Sequence, residues 1–429
     1  MLTDVRTCLC YNEPEQGGMA PGIFVRNVSG EMTNSRTAKM FLLALVITIL
    51  VLCAFSAGVG AMWVLMHGQT ANADEAAEFS VFWEAWHLVE DNFFGDVPAM
   101  QQVAWGAIRG ALGTLEDPHT TFLEPQPRQR EKEDLSGRFG GIGAFVSQAE
   151  DGSIILEPMP DLPAEQAGIL EGDAVIKVDG TEITPEMTVD QVVDLVRGEV
   201  GTVVVLTLRR EGQPDPIVVE IERQEIPSPS VQWEMLEETE GIGYVRIVLF
   251  SGRTAIELEE AIEELTEQGM TRMILDLRGN GGGLLDAAID VSSVFLDGET
   301  VLYQVEKDKE DKVYSARRGG EYTVAPLVLL VDGGTASASE IVAGALQDRD
   351  RATLIGQKTY GKGSVQSVYD LSDGSSVHIT SAKWLTPSRR QIDGQGLMPD
   401  MDVAFTEEDR SQGLDPQLDR AIEYLNGEQ

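Results

Sequence analysis

The chain has 429 residues, of which 42% are hydrophobic and 24% are charged, and its formal net charge at pH 7 is −39. This length allows two or three folding units, and the hydrophobic fraction excludes a wholly disordered chain. The strongly acidic balance excludes nucleic acid as a partner, because nucleic-acid binding needs a basic surface.

A hydrophobic segment near the N-terminus predicts a membrane anchor. The 27 residues from 40 to 66 carry no charge, whereas a helix needs about 20 residues to span a bilayer. Arg36 and Lys39 precede the segment, so the positive-inside rule puts a tail of residues 1–39 in the cytosol. The alternative is a cleaved signal peptide, because Ala71-Asn72-Ala73 resembles a cleavage site. Signal peptides have shorter apolar cores, so we expect an uncleaved anchor at 40–66 with the rest of the chain exported.

Cysteine usage agrees with export. Cys8 and Cys10 lie in the tail and Cys53 lies in the anchor, so the predicted exported part contains no cysteine. Disulfides, a thiol nucleophile and a cysteine-ligated metal are therefore excluded from that part.

Residues 75–135 follow the anchor and are predicted to form an N-terminal helical segment. Phe79, Phe82 and Trp86 recur at helical spacing, and a second helical run starts at Met100. The charged stretch RQREKEDLSGR leads out of this segment.

Residues 136–225 show a different pattern, with short alternating strands interrupted by two helical pieces. Pro227 and Pro229 punctuate its end. We interpret this stretch as a compact module of its own.

Residues 226–405 alternate between strands and amphipathic helices, which predicts βαβ units with a mixed, mainly parallel sheet. A C-terminal helix is predicted within 406–429. The fold class is therefore α+β and α/β, with several domains.

Three hydroxyls stand on alternate positions before a predicted helix, at Thr335, Ser337 and Ser339. The simplest interpretation is helix capping, because Ser337 and Glu340 have the spacing of a capping box and Ser339 could also cap. However, the preceding segment PLVLLVDGG reads as a buried strand. The serines would then lie at the carboxyl end of a sheet strand and at a helix N-terminus, where reacting groups and developing negative charge are favoured.

A serine nucleophile needs a base, and the histidines offer no recognisable triad. His119 and His378 fit structural roles better, although their proximity to a serine in space is left open. Lys362 is the better candidate, because it stands between Gly361 and Gly363, and burial of an amine lowers its pKa. Gln366 is four residues further along a predicted strand and would share its face.

Two glycine-rich segments need separate interpretations. Gly281, Gly282 and Gly283 follow a predicted strand and could turn backbone N–H groups into an oxyanion hole, or simply form a tight turn. The run 356–363 falls one residue short of a P-loop, because Gly363 replaces the required Ser or Thr. We therefore reject an NTPase.

Several of these motifs together resemble the carboxyl-terminal processing proteases (tail-specific proteases) of peptidase family S41. The resemblance rests on TASASEIVAGALQD and GKGSVQ, on LDLRGNGGG upstream, on TPSRRQIDGQGLMPD downstream and on the DPHT segment. It extends from about Phe79 to Val403, with a PDZ domain between the helical segment and a serine protease core.

This resemblance implies a serine endopeptidase with a Ser-Lys dyad. Ser337 corresponds to the family's nucleophile, Lys362 to its general base and Gln366 to the residue that orients the base. The implied oxyanion donors are the backbone N–H groups of Ala338 and of the glycine turn, Gly283 or Gly282. Asp332 and Gly281 depart from the family's usual asparagine and proline, and the second departure leaves the choice of donor open. No metal and no cofactor are implied.

The resemblance also assigns a peptide-binding role to the predicted PDZ domain. Its carboxylate loop would be Gly140, Gly141, Ile142 and Gly143, and the strand from Ala144 would pair with an extended peptide. Arg197 is a candidate for coupling the module to the protease, and the alternative is an ordinary surface charge.

The leading hypothesis is therefore a single-pass protein of the bacterial cell membrane whose extracytoplasmic part cleaves polypeptides after recognising their free C-termini. The alternative is a catalytically silent PDZ scaffold that binds C-terminal peptides. The sequence leaves the oligomeric state open.

Overall fold

A computed structural model describes residues 73–149, 151–237, 239–320 and 322–427. The chain divides into two compact units, residues 1–97 and residues 98–429. Within the described ranges, no helix is both long enough and apolar enough to cross a membrane. The predicted tail at 1–39 and the predicted anchor at 40–66 lie outside the described residues.

In the first unit, the described residues form helix α1, Ala73–Asn92. Three aromatic side chains cluster along it, with ring centroids 5.5 Å apart for Phe79 and Phe82 and 5.1 Å apart for Phe82 and Trp83. This helix was predicted from a helical spacing that includes Phe79 and Phe82.

The second unit begins with helix α2, Met100–Gly113, strand β1, Thr121–Leu123, and helix α3, Pro125–Ser136. The sequence predicted only a charged stretch where α3 lies, because that segment has no apolar period. Its boundaries have local causes. Pro125 is compatible with a first helical turn, and Gly137 ends the helix with a φ of 72°.

A small antiparallel sheet with two short helices follows. Its elements are β3 (Ala144–Gln148), β4 (Ile154–Pro158), α4 (Pro163–Gln166), β5 (Asp173–Val178), β6 (Thr181–Glu182), α5 (Val189–Val196), β7 (Val203–Arg209) and β8 (Ile217–Glu222). The strand order is β3-β4-β5-β7-β8, with β6 paired to β5. Strand β3 is therefore an edge strand, and α5 lies beside it. A separate ribbon of β2, Arg138–Gly141, and β9, Gln224–Pro227, brackets this module.

The remaining residues form two sheets with helices between their strands. Their elements are β10 (Val231–Met235), β11 (Ile242–Ile247), α6 (Thr254–Glu267), β12 (Arg272–Asp276), α7 (Leu285–Phe295), β13 (Thr300–Val305), β14 (Lys312–Ser315), β15 (Leu327–Val331), α8 (Ala338–Asp348), β16 (Thr353–Gly356), β17 (Ser364–Asp370), β18 (Ser376–Leu385), β19 (Met401–Asp402), α9 (Glu407–Gln412) and α10 (Pro416–Leu425). One sheet has the order β10-β11-β12-β15-β16-β19, and the other has the order β1-β18-β13-β14 with β17 on β18. The predicted alternation of strands and helices is present.

The larger sheet is parallel from β11 to β19, and β12 pairs directly with β15. Asp276, at the end of β12, lies opposite Leu330, near the end of β15. The glycine turn after β12 and the serine turn after β15 therefore leave the same edge of the sheet side by side. Carboxyl edges of parallel strands are where α/β proteins place their ligands.

Candidate active site

The serine turn holds Ser337 in an unusual backbone conformation. Its φ is 55° and its ψ is −116°, and helix α8 begins at the next residue. A positive φ in a residue with a side chain costs about 1–3 kcal/mol and persists only where neighbouring contacts enforce it. A strained serine between a strand and a helix is the geometry in which other hydrolases expose a nucleophile.

The three alternating hydroxyls have different surroundings. Thr335 is fully buried and donates from Oγ1 to the carbonyl of Leu277 at 2.9 Å. Ser339 is also fully buried and donates from Oγ to the carbonyl of Asn280 at 2.9 Å. Both hydroxyls tie the serine turn to the glycine turn and neither caps the helix. Ser337 is half-buried and lines a cavity.

The glycine turn lies directly against Ser337. A Cβ at position 282 would stand 2.8 Å from the Cβ of Ser337, and Gly282 has a φ of 108°. Asn280 is buried and donates to the carbonyl of Ile247 at 2.8 Å, while its own carbonyl accepts the N–H of Ala336 at 3.0 Å. Only glycine at 282 allows the two turns to approach this closely.

Asp332 adds a second link between the two turns. Its carboxylate accepts the N–H groups of Gly279 and Gly334, each at 2.9 Å, and that of Thr335 at 3.1 Å. Asp332, which stands where the family usually has asparagine, therefore supports the two turns. It is not one of the proposed catalytic groups.

Two backbone N–H groups beside Ser337 are available to a ligand. The N–H group of Gly282 already donates a hydrogen bond to Asn280 Oδ1, at 2.8 Å. The N–H groups of Ala338 and Gly283 have no acceptor among the described residues. Of the two glycines proposed as oxyanion donors, Gly283 is thus the one with a free N–H group.

Lys362 is fixed through its backbone. Neither flanking glycine has room for a side chain, because a Cβ at 361 would stand 2.8 Å from the nitrogen of Gly396, and one at 363 would stand 2.4 Å from that of Asp393. The carbonyl of Lys362 accepts the indole N–H of Trp384 at 3.1 Å. Its side chain is left to point into the cavity, which it lines.

Burial lowers the pKa of Lys362 below its ordinary value of 10.5, because a charged amine is poorly solvated there. The negative charge of Glu131 opposes this effect. Gln366 lines the same cavity, and its amide nitrogen donates to Ser364 Oγ at 2.8 Å. The amide oxygen of Gln366 is then the atom that could accept a hydrogen bond from the lysine amine.

Glu340 joins the two segments that carry Ser337 and Lys362. Its buried Oε2 accepts the N–H of Ser337 at 3.0 Å and that of Lys362 at 2.9 Å. Its Oε1 accepts the N–H of Gly361 at 2.8 Å and the hydroxyl of Thr359 at 2.5 Å. The sequence identified Glu340 only as half of a local capping box, whereas its carboxylate is a bridge between distant parts of the chain.

One cavity of about 660 Å³ collects the residues proposed for catalysis. Its lining includes Ser337, Ala338, Gly282, Gly283, Lys362 and Gln366. Apolar side chains complete the walls, among them Leu249, Leu284, Ile341 and Val365. The arrangement offers a hydroxyl, an amine of lowered pKa, free backbone donors and an apolar surface, which are the parts that acyl transfer requires.

Of the histidines, His378 lines this cavity and His119 does not. The ring nitrogen Nε2 of His378 lies 3.2 Å from Ser376 Oγ and 3.3 Å from a carboxylate oxygen of Glu131. Burial lowers the pKa of His378 below its ordinary value of 6.5. Because His378 lines the cavity with Ser337, a Ser-His mechanism is an alternative that can be tested.

The proposed carboxylate loop lies apart from the cavity. Gly140 and Gly141 are part of ribbon strand β2, and Ile142 is 3% exposed. Gly143 has a φ of 72° and leads into edge strand β3 at Ala144. The peptide-binding role of these residues stays a prediction. Arg197 stacks its guanidinium 3.9 Å from the ring centroid of Phe139.

Within residues 73–427, positions 150, 238 and 321 excepted, no group of three or more His, Cys, Asp or Glu side chains could hold a metal ion.

Sequence reasoning missed three contributors to this site. Asn280 and Glu340 act through contacts with residues distant in sequence, and no local sequence pattern predicts such contacts. Helix α3 supplies one wall of the cavity. Its signal was available, because a proline and a glycine bracket the charged stretch at the spacing of a short helix.

Comparison with known proteins adds independent information. The profile of peptidase family S41 matches residues 241–403, and a PDZ-domain profile matches residues 154–210. The carboxy-terminal-processing protease of Bartonella bacilliformis is 37% identical over 327 residues, which cover 75% of this chain and 74% of that protein. The carboxy-terminal processing protease CtpA of Bacillus subtilis is 36% identical over 362 residues, covering 84% and 76%. The solved photosystem II D1 C-terminal processing protease is 32% identical, with a TM-score of 0.42 and coverage of 74% and 86%.

Proposed function

This chain belongs to peptidase family S41 and is a serine peptidase of the carboxyl-terminal processing type, and from that premise we propose that Ser337 is its nucleophile and Lys362 its general base. The observation that carries the proposal is the shared cavity of these two side chains, whose backbones are both held by Glu340. The hydroxyls of Thr335 and Ser339 link the serine turn to the glycine turn, whereas no such structural role is evident for the side chains of Ser337 and Lys362.

The proposed reaction is acyl transfer from a peptide to Ser337 and then to water. Neutral Lys362 takes the hydroxyl proton while Ser337 Oγ bonds to the peptide carbonyl carbon. The resulting oxyanion accepts hydrogen bonds from the free N–H groups of Ala338 and Gly283. Protonated Lys362 then gives its proton to the leaving amine, and the C–N bond breaks. A water molecule, deprotonated by Lys362, then attacks the acyl carbon. The bond from this carbon to Ser337 Oγ breaks, Lys362 returns the proton to Oγ, and the acyl group leaves as a carboxylic acid.

Gln366 is proposed to orient the base. Its amide nitrogen is engaged by Ser364, so its oxygen is the acceptor that can direct the lysine amine. This role requires no proton transfer to the glutamine itself.

Recognition of a free C-terminus is proposed for the PDZ domain. Strand β3 is the edge of its sheet with α5 beside it, so an extended peptide could pair with the free edge of β3 and lie against α5. Phe145 on this strand is 59% exposed and offers an apolar contact. Substrates would therefore be polypeptides whose free C-terminal tails bind there.

Membrane attachment is also proposed, with the catalytic part outside the cytoplasm of a bacterium. The support is the uncharged run from 40 to 66 and the basic residues Arg36 and Lys39 before it. Fractionation of cells that express the full chain tests it. Extraction by salt alone would contradict an embedded anchor.

The proposed nucleophile is tested by Ser337→Ala on an unfolded protein substrate with an apolar C-terminus. Ser339→Ala is the matched control, because it removes a neighbouring hydroxyl outside the cavity lining. We expect Ser337→Ala to abolish cleavage and Ser339→Ala to retain it, with a stability loss of about 1 kcal/mol. Cleavage by Ser337→Ala at the wild-type rate would overturn the assignment. A wild-type protein that stays inert with and without a PDZ ligand would favour the scaffold alternative.

A further inference from the structure

The asparagine in the glycine turn contacts both turns of the active site. Asn280 is 1% exposed, its Nδ2 donates to the carbonyl of Ile247 at 2.8 Å, and its Oδ1 accepts the N–H of Gly282 at 2.8 Å. Its backbone carbonyl accepts the N–H of Ala336, which precedes Ser337, at 3.0 Å. This last contact belongs to the backbone, so a change of side chain at position 280 acts on the other two.

The side chain of Asn280 determines which of two glycines can donate to an oxyanion. Gly282 lies two residues after Asn280, and its N–H group is bound by Oδ1 in the pattern of an Asx turn. The N–H of Gly283 has no acceptor among the residues that the structure describes. Both glycines line the cavity, but Gly282 is buried and Gly283 is exposed.

Phe250 fixes the direction of the Gly283 N–H group. The N–H of Phe250 donates to the carbonyl of Gly282 at 2.9 Å, and the two strands form a parallel bridge at Phe250 and Gly283. The carbonyl of Gly282 and the N–H of Gly283 belong to one planar trans peptide group, in which they point in opposite directions. The Gly283 N–H therefore points away from Phe250.

The two peptide groups on either side of Gly282 are thus held by different partners. Asn280 holds the group before Gly282 and Phe250 holds the group after it. Gly282 has a φ of 108°, and glycine can adopt many other conformations. Without the Asn280 side chain, Gly282 would be restrained on one side only, and the peptide group that carries the Gly283 N–H could rotate.

We propose that Asn280 is a positioning residue for the transition state, whose side chain keeps the Gly282 N–H bound and holds the Gly283 N–H in the direction of the oxyanion. This inference rests on the proposed function, in which Ser337 forms an acyl-enzyme through an oxyanion. Because the contact matters once negative charge develops on the carbonyl oxygen, its loss lowers kcat and leaves KM nearly unchanged.

The test compares two substitutions of Asn280 with a matched control. Asn280→Ala removes both side-chain hydrogen bonds. Asn280→Ser loses the amide that donates to Ile247, but its hydroxyl can still accept the N–H two residues further on. The control is Gln417→Ala, because Gln417 is also a buried amide and donates to the carbonyl of Val403 at 2.8 Å, outside the cavity lining.

Three quantities are measured on each variant: kcat, KM and the inhibition constant of a peptide aldehyde. The cleaved substrate is an unfolded protein, and denaturant unfolding gives the folded fraction. Ser337 Oγ bonds to the aldehyde carbon, the C=O double bond becomes a single bond, and the serine proton passes through Lys362 to the former carbonyl oxygen. That oxygen then lies where the oxyanion of the reaction would lie.

We expect Asn280→Ala to lower kcat roughly 10- to 100-fold, with KM within about threefold of wild type, and to weaken aldehyde binding by a similar factor. Asn280→Ser should stay within about fivefold of the wild-type kcat, and Gln417→Ala within about twofold. All three variants should unfold at lower denaturant concentration than wild type.

Equal losses of kcat in Asn280→Ala and Asn280→Ser, or in Asn280→Ala and Gln417→Ala, would show a merely structural role and overturn the inference. A loss of kcat without weaker aldehyde binding would also overturn it. If Asn280→Ala does not fold, Asn280→Ser decides, and a loss of kcat greater than about tenfold contradicts the inference. An aldehyde that binds Ser337→Ala as tightly as wild type would refute the proposed nucleophile itself, whatever the Asn280 variants do.

Discussion

Glu340 Oε2 accepts a hydrogen bond from the backbone N–H of Lys362 at 2.9 Å, and the same oxygen accepts the N–H of Ser337 at 3.0 Å. One buried carboxylate therefore sets the distance between the segments that carry the proposed nucleophile and base. A capping box normally stabilises a single helix. In this chain the glutamate of the box also fixes the geometry between two separate segments.

Glu340→Gln should lower both stability and kcat. The glutamine amide would place N–H groups opposite the donors of Thr359 or Gly361, so at least one buried donor would lose its acceptor. We expect a loss of about 2–4 kcal/mol in the free energy of unfolding and at least a tenfold loss of kcat in the protein that remains folded. Denaturant unfolding measures the free energy of unfolding. The cleavage rate at saturating substrate, divided by the active-site concentration from titration, measures kcat.

Glu257→Gln is the control for that substitution. Glu257 is also buried, and its Oε2 accepts the N–H of Ser230 at 2.7 Å, but it does not line the cavity. It should lower stability to a similar degree and leave kcat unchanged. Equal losses of kcat in both variants would refute the bridging role of Glu340.

Gly282→Ala should damage the site, whereas Gly281→Ala should not. A Cβ at 282 would stand 2.8 Å from the Cβ of Ser337 and 2.9 Å from the carbonyl oxygen of Ala336, whereas a Cβ at 281 meets nothing within 4 Å. We expect kcat/KM to fall at least about tenfold in Gly282→Ala and to change less than about threefold in Gly281→Ala. Steady-state cleavage of one protein substrate compares them. Equal activity would show that the glycine turn need not approach the serine.

The pH dependence of kcat/KM should identify the base. Burial lowers the pKa of Lys362 below 10.5, and burial lowers the pKa of His378 below 6.5. Since a base acts in its neutral form, activity falls as the pH drops through its pKa. We expect kcat/KM to rise with pH, with a midpoint below 10.5, and His378→Gln should keep this rise, measured at constant ionic strength. A pH-dependent rise that disappears in His378→Gln would point to the histidine.

Much of the larger sheet could be predicted from the sequence, because its buried strands and amphipathic helices have distinct apolar periods. The position of Ser337 at the end of β15 followed from that pattern. The choice among three hydroxyls did not, because it depends on which of them contact the glycine turn. The hydroxyls of Thr335 and Ser339 donate hydrogen bonds to the carbonyls of Leu277 and Asn280. In each pair the two residues are more than fifty positions apart in the sequence.

Helix α3 could not be predicted from apolar periodicity, because it has no apolar face. The only sequence signal for this helix was the pair of residues that bracket it, Pro125 and Gly137. Its place at the cavity depends on contacts with His378 and Asp370, far along the chain. Gly140 and Gly141 illustrate the same point, because the loop expected there is partly a strand paired with Glu225 and Gln224.

The most direct test of the central claim is the rate of cleavage of an unfolded protein by Lys362→Ala and by His378→Gln, at the pH of the wild-type plateau. Both residues line the cavity that contains Ser337, so loss of activity through general disturbance should affect the two variants alike. With Lys362 as base, kcat/KM falls at least about 100-fold in Lys362→Ala and stays within about threefold of wild type in His378→Gln. The reverse result, with Lys362→Ala active and His378→Gln inactive, would contradict the Ser337–Lys362 dyad.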